Sequence, residues 1–308
     1  MILKFEDAYY QYLIYIENRL KKQTVEDIKE KFQSKILPYF KNKNIYDIKE
    51  IDYMKWQNEI EKSNYSNNYK RNLHYVFSGF VNYCVLYHNL QNNFVKKVGM
   101  FKMENKKTKF DFYTLKEFKK FIKCVDNNVY KQFFNLMYFT GTRPGEAMAL
   151  KFSDISKYQI SITKTISEHC INGSRLIDAP KNITSFRDIT IDKKMYNQLI
   201  KLLKFYQIQN NDCKYDYFVF GGLKPLAPTS INRIKKKASE KSNLRQITIH
   251  QFRHSHATLL YKYNIPLKAI KDRLGHSNIN TTTSVYVHLD NKQKKKVQQK
   301  LSLIRLFF

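Results

Sequence analysis

A polar, charged stretch from Val98 to Phe112 divides this chain into two parts with different residue patterns. Its central residues, Lys102-Met-Glu-Asn-Lys-Lys-Thr-Lys109, show no apolar periodicity, which is typical of a linker. The length of 308 residues fits two domains, each with its own core. We therefore predict a first domain over residues 1–100, a linker over 101–112 and a second domain over 113–308.

The first part is predicted to be a small all-α module. Apolar residues recur at helical spacing near the N-terminus, at Phe5, Tyr9, Tyr12, Leu13 and Ile16. A second helix is expected to follow Thr24 as its N-cap, with Pro38 near its end. A third is expected to follow Asp52, and a long helix should run from about Asn67 to Tyr87.

The second part mixes helical and strand patterns. Thr114-Leu-Lys-Glu117 matches a capping box, and another helix is expected from about Val129 to Thr140-Gly141. Two segments, Gln159–Thr165 and Phe186–Ile191, look like strands. Helical patterns return near Lys193, Thr229, His250 and Pro266. The fold class predicted for the chain is mainly α (α+β), with a small antiparallel β-sheet in the second domain.

Charge is the strongest compositional signal. Lys and Arg outnumber Asp and Glu by 55 to 26, a net charge of +29 spread along the chain. A polyanion such as DNA is the natural partner, because neutralising phosphates releases condensed counterions. An AT-rich genome could supply part of the lysine but does not explain the shortage of acids. No apolar run is long enough to span a membrane, and no signal peptide is recognisable, so we expect a cytoplasmic protein.

The cysteines argue against a metal site. Cys84, Cys124, Cys170 and Cys213 lie far apart without a C-x-x-C pair. We interpret them as reduced thiols, mostly buried, and we expect neither a metal nor a cofactor.

Several groups suited to phosphate chemistry recur in the second part. They are His250-Gln-Phe-Arg253-His254, Leu274-Gly-His276, Tyr286 and, upstream, Thr140-Gly-Thr-Arg143-Pro-Gly-Glu146. Breaking a DNA strand without water or metal requires a nucleophile, cations for the non-bridging oxygens and a proton for the leaving oxygen. Arginine suits the second task because its planar fork binds phosphate bidentately and stays charged.

Local patterns place two of these cations at helix starts. His250 and Arg253 lie about one turn apart at the beginning of a predicted helix. Arg143 precedes Pro144, which suits the first position of a helix. Both arrangements would present positive charge beside the positive end of a helix dipole.

These motifs resemble the tyrosine recombinases, the phage integrase family. Thr140–Leu150 resembles the family's first box, His250–Leu260 its second, and Leu274–Tyr286 its third box with the nucleophile. The resemblance covers roughly residues 110–290 with all boxes in order. It implies a helical SAM-like core-binding domain followed by the family's catalytic domain. Residues 1–100 resemble the core-binding domain only in type and position.

The resemblance also implies the role of each residue. Tyr286 would attack the scissile phosphate and form a 3′-phosphotyrosine, while Arg143 and Arg253 bind that phosphate. His250 would act as phosphate donor or proton acceptor, and His276 would donate to a non-bridging oxygen. Glu146 would orient the first box.

The lysine that protonates the leaving oxygen is expected to be Lys181, in a β-hairpin. Asn182 departs from the family pattern, which often has Thr or Gly, so Lys164 is the alternative. The remaining histidines of the region, His254, His256 and His288, are interpreted as structural or peripheral.

Two further features have weaker signals. Asn68, Lys70 and Arg71 open the long helix of the first part and could contact DNA, although a solvated charged face explains them equally well. The apolar segment Leu301–Phe308 is expected to dock on a neighbouring protomer, as the resemblance implies, with packing within the same chain as the alternative. The core-binding pattern begins within the first few residues, so no separate arm-binding domain is expected in this sequence; either this is a simple recombinase or the chain has been shortened.

The predicted function is site-specific recombination or integration of double-stranded DNA through a phosphotyrosine, without metal or ATP. The resemblance implies a homo-tetramer on two synapsed sites, formed from free monomers, with accessory DNA-bending or directionality factors as further partners. Two alternatives remain. One is a relaxing enzyme like topoisomerase IB, and the other is a DNA-binding regulator without catalysis.

Overall fold

A computed structural model describes residues 2–102, 111–171, 174–178, 183–209 and 216–275. The chain divides into two compact units, Met1–Thr108 and Lys109–Phe308. Each unit has its own apolar core, and each is described by itself.

The first unit is helical over its described residues. Its helices are α1 (Phe5–Glu17), α2 (Lys22–Lys31), α3 (Leu37–Phe40), α4 (Glu50–Lys62), α5 (Asn67–Tyr87) and α6 (Phe94–Val98). Its core is rich in aromatic rings; Phe5, for example, lies 4.7 Å from Phe80 between ring centroids. Helices α1 and α5 both contribute to this core. The apolar residues of α1 recur at helical spacing and so lie on one face, and this is the face that α1 buries.

Two helices in this unit, α1 and α5, follow the sequence pattern closely. Helix α1 buries Phe5, Tyr9, Tyr12 and Ile16 as expected, with Leu13 only partly buried. Helix α5 has the predicted bounds.

Two expected helix starts were wrong. Thr24 is not an N-cap, because α2 already begins at Lys22 and turns Val25 and Ile28 into the core. Helix α4 begins before Asp52, whose carboxylate accepts a hydrogen bond from the backbone N–H of Lys49 at 3.0 Å. Asp52 therefore caps the first turn from inside the helix.

The second unit is mixed. Its helices are α7 (Leu115–Lys123), α8 (Asn128–Thr140), α9 (Pro144–Ala149), α10 (Lys193–Gln209), α11 (Pro228–Lys241), α12 (Gln251–Lys262) and α13 (Leu267–Leu274). Its strands are β1 (Ile155–Ser156), β2 (Gln159–Ile162), β3 (Thr165–Ile171), β4 (Ser174–Asp178) and β5 (Arg187–Thr190).

The strands form two small antiparallel sheets. One has the order β1-β2-β5, with Ile160 opposite Ile189, and the other pairs β3 with β4. The mainly α fold with a small antiparallel sheet is thus confirmed. The two strands expected at 159–165 and 186–191 correspond to β2 and β5, whereas β1 and the separate β3–β4 pair were not foreseen.

Helix α8 runs through the core of the second unit. It packs against α7 and α12, and the ring of Tyr138 stacks on Phe118 with centroids 3.8 Å apart. The capping box predicted at the start of α7 is present, since Thr114 and Glu117 each accept from the other's backbone N–H. The rigid core around α8 fixes where its C-terminal end, Thr140-Gly141, lies.

Across the described ranges, no helix is long and apolar enough to cross a membrane.

Candidate active site

Two helices end at the site in the same way. Helix α8 is followed by Gly141 at φ +69° and α13 by Gly275 at φ +68°, both in the left-handed region that favours glycine. A Cβ on Gly275 would lie 2.8 Å from the carbonyl oxygen of Thr184, so the backbone also approaches too closely for a side chain. Each helix presents C-terminal carbonyls, which carry partial negative charge.

Arg253 joins these two helix ends. It lies in the first turn of α12, is only 2% exposed, and donates from Nη1 to the Gly141 carbonyl at 2.7 Å and from Nη2 to the Leu274 carbonyl at 2.6 Å. Burial and the nearby charge of Arg143 lower the pKa of Arg253. The two carbonyl acceptors oppose that effect because they stabilise the charged guanidinium.

Arg143 is the N-cap residue of α9, with Pro144 following as predicted. Its Nη2 donates to the Gly275 carbonyl at 3.0 Å, and its Nη1 donates to Glu146 at 2.7 Å and to the Ser185 hydroxyl at 3.2 Å. About a third of the side chain remains exposed (32%). Arg143 is therefore held in place by protein and still open to a ligand.

Glu146 is a buried carboxylate shared by two arginines. It is 2% exposed and accepts from Arg143 and, at 2.8 and 3.1 Å, from Arg187. Burial by itself would raise the pKa of Glu146, but the ion pairs with Arg187 and Arg143 outweigh burial, so the pKa is lowered. This carboxylate accepts from both the backbone N–H and the side chain of Arg143.

Arg187, at the start of β5, was not singled out from the sequence. Its Nε donates to the carbonyl of Arg273 at 2.8 Å. Three successive carbonyls at the end of α13, those of residues 273, 274 and 275, thus accept from Arg187, Arg253 and Arg143 respectively. A sequence signal existed, because Arg187 and Ile189 are two residues apart on a strand and therefore share a face. Ile189 is buried, so Arg187 also points inward.

His250 is the N-cap residue of α12, one turn from Arg253, and remains exposed. Desolvation of the ring by the surrounding protein is the main cause that lowers the pKa of His250, to about 4. The nearby His254, Arg253 and Arg143 lower it further by electrostatic repulsion. In the absence of an anion His250 is therefore neutral at neutral pH. A neutral imidazole can accept a proton or donate one N–H bond.

His256 has a structural role, as interpreted from the sequence. Its Nε2 accepts from Arg273 Nε at 3.1 Å, so its Nδ1 carries the hydrogen donated to the Tyr138 carbonyl at 2.9 Å. Burial and the Arg273 charge lower the pKa of His256 to about 3. Arg273 also donates to the Phe139 and Thr190 carbonyls and so joins α13 to the end of α8 and to β5. The importance of Arg273 was missed.

The structure brings together Arg143, Arg253, His250 and Glu146. Tyr286, His276 and Lys181 lie outside the described residues, as do Asn182, His288 and the segment Leu301–Phe308. Gly275 immediately precedes His276 in the sequence, so the described site ends where the third box continues.

The other candidates have described positions. Lys164, the alternative lysine, forms an ion pair with Asp154 at 2.8 Å. Asn68, Lys70 and Arg71 lie within the first five residues of α5, where Asn68 and Arg71 are exposed and Lys70 is half-buried. No group of His, Cys, Asp and Glu within the described ranges could hold a metal ion.

Comparison with known proteins decides the family. The sequence profile of the phage integrase family matches residues 111–293, and that of its N-terminal SAM-like domain matches residues 4–60. This chain belongs to the phage integrase family. The resemblance to tyrosine recombinases noted from the motifs is thereby confirmed.

Individual members of the phage integrase family agree with this placement. The ICEBs1 integrase of Bacillus subtilis strain 168 is 32% identical over 285 residues, which cover 86% of this chain and 74% of that protein. The Tn1549 transposon integrase bound to transposon right-end DNA has the same fold, with a TM-score of 0.72 at 19% identity, covering 97% of this chain and 100% of that one. A lambda integrase tetramer bound to a Holliday junction superposes with a TM-score of 0.69 at 17% identity, covering 92% and 77% of the two chains.

Proposed function

We propose that this member of the phage integrase family is a site-specific DNA recombinase that integrates or excises a mobile element. The observation that carries the proposal is the convergence of Arg143 and Arg253 on the adjacent carbonyls of Gly275 and Leu274 at the end of α13, with His250 one turn from Arg253. Like charges repel, so a fold that brings two guanidinium groups and an imidazole together is suited to binding an anion there. The net charge of +29 suits DNA as the source of that anion.

The proposed reaction is a pair of transesterifications. The hydroxyl oxygen of Tyr286 attacks the scissile phosphorus and loses its proton to His250 or solvent. The bond from phosphorus to the 5′-oxygen breaks, and that oxygen takes a proton from Lys181. A 5′-hydroxyl of the second site then attacks the 3′-phosphotyrosine and gives its proton back to Lys181. The bond from phosphorus to the tyrosine oxygen breaks, and Tyr286 regains its proton from His250 or solvent.

The remaining residues are proposed to stabilise the negative charge on the scissile phosphate. Arg143 and Arg253 neutralise the non-bridging oxygens, and His276 donates to one of them. An anion beside His250 would favour its protonated form and raise its pKa from about 4. The number of phosphate ester bonds stays constant through both steps, so we propose that neither ATP nor a metal ion is required.

Double-stranded DNA is the proposed partner, with the chain free as a monomer and tetrameric on two synapsed sites. The lambda integrase tetramer on a Holliday junction, which shares the fold, supports this assembly. DNA-bending or directionality factors are proposed as accessory partners, and Asn68, Lys70 and Arg71 as further DNA contacts.

A suicide DNA substrate, nicked so that the cleaved fragment diffuses away, tests the chemistry. Wild-type protein in EDTA and without ATP is expected to give a covalent protein–DNA adduct, and Tyr286→Phe to give none. Tyr263→Phe is the matched control, because Tyr263 is 65% exposed at the end of α12, and it should react as wild type. An adduct formed by Tyr286→Phe, or none formed by wild type, would refute the proposal and, in the second case, favour a DNA-binding regulator.

A strand-exchange assay with two labelled sites separates recombination from relaxation. A recombinase should join strands from the two sites. An adduct without exchange, together with relaxation of supercoiled plasmid by monomers, would favour the enzyme resembling topoisomerase IB.

A further inference from the structure

We propose that Arg187 is a positioning residue for DNA cleavage. It balances the negative charge of Glu146, so that the positive charge of Arg143 is left to interact with the scissile phosphate. This inference rests on the proposed function. It assigns a role to a residue outside the motifs that carried the family resemblance.

The hydrogen bonds of Arg187 show that it faces protein. A guanidinium has five N–H donors. In Arg187, Nε donates to the Arg273 carbonyl at 2.8 Å, Nη1 to Glu146 at 3.1 Å and to the Ser185 carbonyl at 3.0 Å, and Nη2 to Glu146 at 2.8 Å. Its side chain is 7% exposed, against 32% for Arg143. Arg187 is therefore placed to hold Glu146, and Arg143 to receive a phosphate.

The charge balance explains why Glu146 needs a second arginine. Glu146 alone with Arg143 would be a neutral pair, and Arg143 would offer a phosphate little net charge. With Arg187 the three groups carry one net positive charge, and Arg187 contacts both carboxylate oxygens. In a buried site such charges are weakly screened, so one unit matters for a dianionic transition state.

Arg187 also fixes the surroundings of Arg143. Arg187 donates to the carbonyl of Ser185, whose hydroxyl accepts from Arg143. It also donates to the Arg273 carbonyl in α13, and the carbonyl of Gly275, which follows α13, accepts from Arg143. Replacing Arg187 thus removes a charge and loosens two of the elements that orient Arg143.

The test compares Arg187→Gln, Arg187→Lys, Glu146→Gln and the double variant Glu146→Gln/Arg187→Gln with wild type. For each, the rate of adduct formation on the suicide substrate and the Kd for uncleaved DNA are measured. Arg187→Gln is expected to slow adduct formation by about 10- to 100-fold, the usual effect of removing a group that orients a reactive residue. The Kd should change by less than about threefold, because one of many phosphate contacts is affected.

The double variant gives the sharper result. Removing the carboxylate charge that Arg187 balances should make the double variant at least about threefold faster than Arg187→Gln, which is the non-additivity expected of contacting groups. Arg187→Lys, which keeps the charge but not the fork, should fall between wild type and Arg187→Gln. A merely structural role would make the double variant slower than either single one.

Arg245 and Glu117 offer a matched control. They form an exposed arginine–glutamate pair elsewhere in the same unit, so Arg245→Gln should keep the wild-type rate. If wild type forms adduct and Arg187→Gln equals it, or the double variant shows no recovery, this inference is refuted while the proposed function stands. If wild type forms no adduct, both fall. Should Arg187→Gln fail to fold, the same criteria apply to Arg187→Met, which also removes the charge, with and without Glu146→Gln.

Discussion

Replacing Gly275 by alanine should damage both the stability of the second unit and its reactivity. Gly275 ends α13 at φ +68°, and an added Cβ would lie 2.8 Å from the Thr184 carbonyl oxygen and 3.2 Å from the side chain of Arg187. The carbonyl belongs to the backbone and cannot rotate away. The chain around Gly275, whose own carbonyl accepts from Arg143, must therefore shift.

The magnitude has two parts. The left-handed conformation costs an L-residue about 1–2 kcal/mol. Forcing the backbone to move in a packed site costs about 1–3 kcal/mol more. The control is Gly222→Ala, since Gly222 has φ +74° but a Cβ there would meet only the ring of Tyr206 at 3.4 Å, an ordinary contact. It should lose only the first part, so Gly275→Ala should be less stable by about 1–3 kcal/mol.

Thermal denaturation measures this difference. For a unit of this size, 1 kcal/mol shifts Tm by about 2–4 °C, so Gly275→Ala should melt about 2–12 °C below Gly222→Ala. Adduct formation on the suicide substrate should also slow in Gly275→Ala and not in Gly222→Ala. Equal Tm values, or a destabilised Gly275→Ala with the wild-type cleavage rate, would show that the close approach at Gly275 does not hold Arg143.

Three further predictions concern other parts of the chain. Because the folded pKa of His256 is about 3, below its usual 6.5, the unfolded state binds the proton first. Protonation of His256 should therefore leave the free energy of unfolding unchanged above about pH 6.5 and lower it towards pH 3 by up to about 1.4 kcal/mol per pH unit. His256→Gln should flatten this pH dependence when the free energy of unfolding is measured by urea denaturation. Thr114→Ala should cost about 1 kcal/mol by removing the cap of α7 and leave adduct formation unchanged; a loss of activity at wild-type stability would contradict that. Changing Lys70 and Arg71 to glutamine should reduce the slope of log affinity against log salt by about two if both contact phosphates, whereas an unchanged slope would identify a solvated face.

Much of the fold was readable from local patterns. Spacing of apolar residues and caps located α1, α5, α7 and α8, because in these helices the buried face and the terminal residues agree. The start of α2 was misplaced because a good capping residue, Thr24, lies two residues inside a helix whose position is set by burial. The β3–β4 pair was missed because its residues lack a strict alternation of apolar and polar side chains, and its pairing shifts register between Ile166 and Cys170.

The candidate site was predictable only in part. Motif spacing identified Arg143, Arg253, His250 and Glu146, and the structure places them together. Arg187 and Arg273 escaped notice because their roles depend on carbonyls and a carboxylate brought from distant segments. A sequence shows which groups are charged but does not show which backbone oxygens will meet them.

The two glycine-terminated helix ends have a consequence for protein engineering. Arg253 joins the carbonyls of Gly141 and Leu274, and neither acceptor depends on the identity of a side chain. Transplanting only the motif side chains onto another scaffold would leave behind the oxygens that keep like charges side by side. A designer who wished to reproduce this cluster of arginines would first have to build a pair of converging helix termini, and choose the arginines afterwards.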